Sequence, residues 1–456
     1  MKNNTQVLLQ PNSSSNLPNR KKIKHFQLIE KTYQSNIDSD YTEKIADLGK
    51  NFDYSSNSDR YWGEPELSTL YGTPLYEQAS DSQKLALNHL YWVGQYNHTA
   101  NSEANTMLYN QITEGVFAHF DDYQTLCQEL EFETSQERYH IKTFQKIGYK
   151  TKIALLGKSS LGNPLSQKSN KLGYLKDPVW IKSLNSSLET AREATFRLVT
   201  RLMIGSKTHS YSRYLQERDN GSIPTTSGGL AELTGSPTAF KFFTLNWGSS
   251  PFLASQYYAV RMIANMSLKT YEHQYFKHFK KLEKAKESIP TPTAVSYYHL
   301  LDESFHTTMS QVIAQELYRD FSQPTAYEKL VANLTIYLAQ KGVLGGLSGG
   351  LPAVFRDDAS FFISFYRLLQ SSLFEMSSTE ALQWMEKCLC REHEGFHVNL
   401  KYHQKLLGEF RRFFDPLDYL WSVNREMGIM ASGGSIDRAL KNNIKFWKRF
   451  SRQVAG

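Results

Sequence analysis

Two copies of the motif Glu-x-x-His are the residues of this chain whose types and spacing could hold metal ions. Glu137 and His140 form the first copy, and Glu303 and His306 form the second. Residues at positions i and i+3 of an α-helix lie on one face, so each pair can direct an oxygen and a nitrogen at the same point. Such ligands suit iron or manganese and leave open positions for dioxygen. The motifs therefore predict an oxygen-activating metal site.

Each motif also has a glutamate about thirty residues upstream, as in four-helix bundles that hold two metal ions. Glu103 precedes the first motif and Glu272 precedes the second. Two antiparallel helices bring residues level when these are equidistant from the turn. The two midpoints fall near residues 120–121 and near residue 288, next to the aspartates at 121 and 122 and the prolines at 290 and 292. Because these break signals are independent of the motifs, their agreement supports two helical hairpins.

A histidine one turn before the second motif is a further potential ligand. At 3.6 residues per turn, His299, Glu303 and His306 fall within an arc of roughly 60°, so all three can face the bundle interior. A third Glu-x-x-His, formed by Glu394 and His397, contains a glycine and lacks an upstream glutamate at hairpin distance. We interpret this third copy as structural or surface-exposed.

Other glutamates compete with the two upstream positions. Glu114 would lie some 10 Å nearer the bundle end than Glu137, so Glu103 is better placed. Glu189 and Glu193 compete with Glu272 but give no matching hairpin, and a solvated helix face is the simpler interpretation.

The apolar periodicity predicts an all-α protein with a four-helix-bundle core. Its four predicted helices cover residues of about 80–120, 123–147, 251–287 and 293–320. Glycine and proline punctuate residues 148–250, which we interpret as a long insertion between bundle helices 2 and 3 with one helix near 183–203. Three or four additional C-terminal helices are expected after the core.

Three regions follow from this pattern. We predict an N-terminal extension with few periodic segments at 1–78, a dimetal bundle core at 79–323 that includes the insertion at about 148–250, and a C-terminal helical region packed on the core at 324–456.

Composition excludes several classes of protein. Hydrophobic residues make up 40% and aromatic residues 13% of the 456-residue chain, which is too many for a disordered protein. No apolar run approaches membrane-spanning length, and the first residues are Asn- and Ser-rich, so we expect neither a membrane segment nor a secretory signal. The three cysteines, Cys127, Cys388 and Cys390, indicate a reducing, cytoplasmic location.

The net charge of +7 is concentrated in basic runs at 20–24 and 445–452. No nucleic-acid-binding motif accompanies them, so we expect no nucleic-acid partner. A solvated face is the default interpretation, and attraction to an acidic partner such as a carrier protein is the alternative.

The doubled motif resembles the ferritin-like dimetal-carboxylate oxygenases. It is similar to the branch that contains the p-aminobenzoate N-oxygenase, in which an extra metal-binding histidine precedes the last Glu-x-x-His, as His299 does here. The Asp that usually precedes each motif is present as Asp302 but replaced by Gln136. Length and the enlarged insertion resemble the cyanobacterial dimetal-carboxylate alkyl halogenases of the cylindrocyclophane type. The ligand set that the resemblance implies is Glu103, Glu137, His140, Glu272, His299, Glu303 and His306.

This resemblance implies an O2-dependent oxidoreductase acting on an unactivated C–H bond of a fatty acyl chain. Halogenation is the preferred reaction, and hydroxylation, desaturation or amine N-oxygenation are the alternatives. Two iron ions, or iron with manganese, would be needed, together with O2, an external reductant and, for halogenation, a halide. We expect a fatty acyl substrate on acyl carrier protein and an electron donor, and leave a homodimer open. The non-enzymatic alternative is a helical binding protein whose Glu and His form buried ion pairs.

Overall fold

The computed structural model describes residues 24–158, 243, 246–347 and 359–455, and the regular secondary structure of these residues is helical, without strands. Short 3-10 helices lie at Ser55–Asn57, Asp121–Tyr123 and Leu317–Asp320, and a π-helical turn lies at Gln340–Leu344. The α-helices are α1 (Lys24–Asp38), α2 (Thr42–Asn51), α3 (Pro74–Gln78), α4 (Asp81–Phe117), α5 (Gln124–Leu156), α6 (Pro251–Ala285), α7 (Thr291–Gln315), α8 (Ala326–Ala339), α9 (Ala359–Leu369), α10 (Ser378–Leu389), α11 (Glu394–Phe414), α12 (Ser422–Arg425), α13 (Gly428–Gly433) and α14 (Ile436–Ala455).

The centre of the fold is a four-helix bundle made of two helical hairpins. Helices α4 and α5 form the first hairpin, α6 and α7 form the second, and α4 packs on α6 while α5 packs on α7. The chain turns at 118–123 and at 286–290, where the sequence predicted the breaks. The prediction of an all-α, ferritin-like bundle with an insertion and C-terminal helices is confirmed.

Local signals at the helix ends explain these boundaries. The Ser80 side chain accepts a hydrogen bond from the backbone N–H of Gln83, and the Gln83 side chain accepts one from the N–H of Ser80, so α4 begins with a capping box. Ser250 caps α6, and Pro251 occupies its first turn, where a missing N–H costs nothing. At the other end of α6, Lys286 adopts the left-handed conformation with φ 58°, which reverses the chain into the second turn.

The described part of the N-terminal region contains three helices that the sequence did not predict, α1, α2 and the short α3. Helices α1 and α2 both pack against α5 and α7. The buried Asn36 of α1 donates to Glu129 of α5 at 3.0 Å and accepts from the Gln136 side chain at 3.1 Å. Asp40, in the link between α1 and α2, accepts from the same Gln136 amide at 3.1 Å. The extension therefore forms part of the wall around the first motif.

The C-terminal region also differs in number from the three or four helices expected, because it contains α8 to α14. Helices α8 and α11 pack on α6, so this region contacts the bundle through its third helix. The helix predicted near 183–203 lies outside the described residues. Among the helices that are described, none has the length and apolar character needed to cross a membrane.

Two hydrophobic clusters close the bundle on either side of a polar layer. In α5, Leu130 belongs to the first cluster and Phe144 to the second, and the first motif lies between them. In α7, Val295 and Met309 bracket the second motif in the same way. The two motifs therefore share one buried layer that apolar side chains separate from solvent.

Candidate metal centre

The structure brings all seven predicted ligands into the interior of the bundle. Helix α4 contributes one of them, α5 two, α6 one and α7 three. The most exposed of the seven, Glu303, has only 7% of its surface accessible. The seven residues are Glu103, Glu137, His140, Glu272, His299, Glu303 and His306.

One group within this layer consists of Glu103, His140, His299 and Glu303, each of which offers a ligand atom within 4.8 Å of the others. The His299 Nε2 atom lies 2.9 Å from Glu103 Oε1 and 3.7 Å from Glu303 Oε1. Glu272 lies beside this group, with Oε1 at 3.4 Å from His299 Nδ1. The four helices thus converge on one point.

A second group consists of Glu133, Glu137 and His306, whose ligand atoms also lie within 4.8 Å of one another. The His306 Nδ1 atom is 3.6 Å from Glu137 Oε1 and 2.7 Å from Glu303 Oε1, so Glu303 links the two groups. Glu133 was not predicted. Its signal was its position one turn before Glu137, which repeats the position of His299 before Glu303.

The residue that precedes each motif orients the histidine of the other motif. His140 Nε2 donates to Asp302 Oδ2 at 3.2 Å, and His306 Nε2 donates to Gln136 Oε1 at 2.9 Å. Asp40 fixes the orientation of the Gln136 amide. The Asp40 carboxylate can only accept hydrogen bonds, so the Gln136 atom that faces it is the amide nitrogen. Because the Nε2 atoms of His140 and His306 form these hydrogen bonds, their Nδ1 atoms face the carboxylates. Histidines that bind metal ions are commonly oriented in this way, by a hydrogen bond from the ring nitrogen that does not bind the metal.

Without metal ions, protons and ion pairs balance the charge of this layer. Burial alone would lower the pKa of His299, but the Glu103 and Glu272 carboxylates outweigh it and raise that pKa to about 10. Burial opposes a charged His306 too, yet the surrounding carboxylates raise its pKa to about 9. Burial, and then the charge of Glu137, raises the pKa of Glu103.

Two buried cations on α6 border the layer, and the sequence did not reveal them. Arg261 is 5% exposed, and its Nη2 atom forms ion pairs with Glu133 and, at 3.4 Å, with Glu137. The Lys269 Nζ atom is buried without a hydrogen-bond partner among the described residues, and burial lowers its pKa. Arg261 precedes Glu272 by three helical turns and shares its face, which was the available signal.

The competing acidic residues lie elsewhere or outside the description. Glu114 belongs to neither group, and Glu189 and Glu193 fall outside the described residues. Glu394 is exposed at the start of α11, and His397 pairs with Glu392 at 2.9 Å with both side chains more than half exposed. The surface interpretation of the third motif is therefore confirmed.

The unpaired atoms of the layer show that its residues fit metal ions. Within the described part of the chain, no hydrogen-bond partner exists for Oε2 of Glu103, Glu133 and Glu137 or for Nδ1 of His140 and His299. Buried polar atoms without partners are costly and uncommon. Carboxylate and imidazole atoms that lack hydrogen bonds in one place are what a pair of iron or manganese ions would satisfy, so the layer could hold metal.

Comparison with known proteins identifies the family of the chain. Neither a curated protein nor a solved structure was found to match the chain. The family model of the CylC-like acyl halogenases matches residues 24–451, which include the bundle, its insertion and nearly all of the C-terminal region. The halogenase part of the resemblance is thereby confirmed, and the chain belongs to the CylC-like acyl halogenase family.

Proposed function

We propose that this chain is a dimetal-carboxylate halogenase that replaces an unactivated C–H bond of an acyl chain with a carbon–halogen bond. The observation that carries the proposal is the convergence of Glu and His from four helices on one buried layer, in a member of an acyl halogenase family. Family membership favours an enzyme over a binding protein with buried ion pairs.

The seven predicted ligands would hold two iron ions, or iron with manganese. When bound, these ions supply the oxidising power that an unactivated C–H bond requires. The chain itself fixes the geometry. Asp302 and Gln136 hold His140 and His306 by their Nε2 atoms, and the hydrophobic clusters at both ends keep water out of the layer.

The overall reaction consumes dioxygen and an external reductant. Substrate, halide, dioxygen, two electrons and three protons give the halogenated acyl chain and two molecules of water. The substrate hydrogen leaves with water, and the halogen takes its place on carbon. An electron donor is therefore a required partner in this proposal.

Positive charge at the layer supports a halide as co-substrate. Arg261 and Lys269 are buried cations on α6, and both interact electrostatically with Glu137 and Glu303. A buried cation lowers the free energy of a nearby anion in a medium of low dielectric constant. These two side chains offset part of the carboxylate charge that would otherwise repel chloride or bromide.

The surroundings of the layer suit an alkyl chain. The Phe144 ring lies 4.9 Å and the Tyr96 ring 5.8 Å from the His299 ring, and both belong to the second hydrophobic cluster. Aromatic and aliphatic walls favour apolar substrates and offer few hydrogen-bond partners to a polar one. This favours an acyl chain over a small amine.

A basic stripe on α14 supports delivery by an acyl carrier protein. Exposed Arg438, Lys441, Lys445, Lys448 and Arg452 recur at spacings of three and four residues, which places them on one face of the helix. Asp437 pairs with Lys441 at 2.7 Å, but the other four have no acidic neighbour on that stripe. Such a surface attracts an acidic partner.

The test is a reconstituted reaction read by mass spectrometry. Protein loaded with iron, or with iron and manganese, is supplied with dioxygen, a reductant, bromide or chloride, and a medium-chain acyl group on acyl carrier protein. We expect a halogenated product with the isotope pattern of the halide supplied, and none with the His140→Ala variant. An oxygenated product with no halogen would indicate that the enzyme is a hydroxylase and not a halogenase. An unchanged acyl chain with a fully metallated enzyme would refute the proposal.

A further inference from the structure

We propose that Glu133 is an additional ligand of the second metal position, and that Arg261 holds its carboxylate in place while its positive charge opposes the metal ion. This inference rests on the proposed dimetal function but goes beyond its seven ligands. It concerns the group formed by Glu133, Glu137 and His306.

The first support is a symmetry between the two motifs. Glu133 lies four residues before Glu137, as His299 lies four residues before Glu303. In each helix the positions i, i+4 and i+7 fall within an arc of roughly 60° and therefore share one helix face. Each motif therefore extends one turn toward the N-terminus and offers three ligand side chains instead of two.

The second support is the state of the Glu133 carboxylate. The side chain is fully buried, and its Oε1 atom accepts a hydrogen bond from Asn110 Nδ2 at 3.1 Å. Its Oε2 atom has no hydrogen-bond partner among the described residues, and neither does Oε2 of Glu137. One oxygen of Glu133 is thus anchored while the other is available, which is the condition of a pre-positioned ligand.

The third support is the way Arg261 contacts this pair. A single nitrogen, Nη2, contacts both Glu133 and Glu137, and within the described residues Nε and Nη1 have no partner. Arginine normally binds carboxylates through two parallel hydrogen bonds, so this contact uses only part of its capacity. The guanidinium lies against the Oε1 atoms of both carboxylates, so its charge opposes a metal ion bound at their Oε2 atoms.

Two consequences follow. The second metal position should bind its ion more weakly than the first, because the positive charge of Arg261 against the Oε1 atoms of Glu133 and Glu137 repels a second cation on the same carboxylates. Replacing Arg261 with a neutral side chain should strengthen binding at that position, whereas neutralising Glu133 should abolish it.

The experiment is an anaerobic titration of the metal-free, full-length protein with Fe(II), followed by desalting and elemental analysis. We expect about two ions per chain for the wild type and about one for Glu133→Gln, with the remaining ion bound as in the wild type. Glu129→Gln is the matched control. Glu129 lies one turn earlier on α5, is equally buried and bonds to Asn36, but belongs to neither ligand group, so this variant should keep two ions.

Two further variants guard against a folding defect. Glu133→Asp keeps the charge but shortens the reach, and should weaken the second ion by at least about tenfold. Arg261→Met should tighten the second ion by about tenfold or more, since it removes a competing cation. Circular dichroism establishes that each variant is folded.

Two ions of wild-type affinity in a folded Glu133→Gln or Glu133→Asp protein would overturn the assignment of Glu133. Unchanged affinity in Arg261→Met would overturn the role of Arg261. A wild-type protein that binds no metal would instead refute the dimetal function itself, so the two failures are distinguishable.

Discussion

At the scale of single residues, the two halves of the site are tied together by hydrogen bonds that cross between motifs. Asp302 precedes the second motif but orients His140 of the first, and Gln136 precedes the first but orients His306 of the second. A change at either position therefore acts on the helix opposite to its own. The charged Asp302 makes His140 more basic than the neutral Gln136 amide makes His306, so the two ligand groups are not equivalent.

This asymmetry gives a prediction for Asp302→Ala. Loss of the acceptor frees the His140 ring and lowers its basicity, so metal affinity should fall by roughly 10–100-fold. The measurement is competitive Fe(II) titration against a chromogenic chelator. Asp320→Ala is the control, because Asp320 bonds to His25 and Tyr123 away from the layer. Equal affinities in the two variants would show that Asp302 does not support the site.

The convergence of the seven predicted residues in one buried layer could be predicted from sequence because they obey two rules at once, helical spacing and equal distance from a turn. Glu133 lies four residues before Glu137, at the position that His299 occupies before Glu303. Recognising it as a candidate ligand requires treating Glu and His as equivalent ligands at that position. Arg261 and Lys269 share the helix face of Glu272, but neither lies at the hairpin position that marks a ligand, and helical spacing alone does not distinguish a buried cation from an exposed one. Their burial depends on carboxylates from other helices, and only the three-dimensional structure shows it.

At the scale of elements, the bundle helices were predicted within a few residues at most ends, because Ser80, Ser250 and the prolines at 251, 290 and 292 are strong local signals. The largest difference was at the end of α5, which runs to Leu156 instead of about residue 147, and α7 ends at Gln315 instead of about residue 320. Helices α1 and α2 were missed for a physical reason. The buried face of α1 is formed by Ile29, Thr32 and Asn36, and polar residues there hide the apolar periodicity.

Helix α2 shows the same effect through a small residue. Its buried residues are Thr42, Ile45 and Gly49. A Cβ atom on Gly49 would lie 2.7 Å from the Thr143 Cγ2 atom of α5, so only glycine allows this approach between the helices. Glycine lowers helix propensity, and a pattern based on propensity therefore does not predict a helix where close packing requires one.

The left-handed residue that ends α6 gives a prediction at this scale. Lys286→Gly should raise the free energy of unfolding by about 1 kcal/mol, because glycine adopts positive φ without the steric cost of a Cβ atom. Lys284→Gly is the matched control, because Lys284 is equally exposed but belongs to the last turn of the helix. Glycine there should lower the free energy of unfolding by up to about 1 kcal/mol. Thermal denaturation measures both. A lower melting temperature for Lys286→Gly would contradict the assignment of this turn.

At the scale of the whole molecule, α14 carries an exposed stripe of positive charge on a helix that is not part of the bundle. If this stripe receives an acyl carrier protein, the double variant Lys445→Glu, Lys448→Glu should reduce kcat/KM for the carrier-bound substrate by about tenfold or more, and the loss should shrink at high salt. The same variant should process the acyl group on free pantetheine as the wild type does. Equal losses on both substrates would indicate a structural defect instead of lost docking.

The stability of the metal-free protein as a function of pH is the other property of the whole molecule. The pKa values of His299 and His306 are raised from 6.5 to about 10 and about 9 in the folded state. Each histidine therefore stabilises the folded protein fully below pH 6.5, and that contribution disappears as pH rises through the folded-state pKa. Glu129 acts in the same direction at lower pH, because burial raises its pKa to about 7.

The metal-free protein should consequently become less stable between pH 6.5 and 9, with each histidine contributing up to about 1.4 kcal/mol per pH unit. Metal ions replace these protons, so the melting temperature of the loaded protein should fall less, and the difference between the two forms should widen with pH. Thermal denaturation at pH 6.5 and 9, with and without metal, measures both effects. His306→Gln should reduce the slope of the metal-free protein, while His397→Gln on the surface should leave it unchanged. A metal-free protein as stable at pH 9 as at pH 6.5 would show that protons do not hold this layer together, and would remove the reason to expect that metal ions take their place.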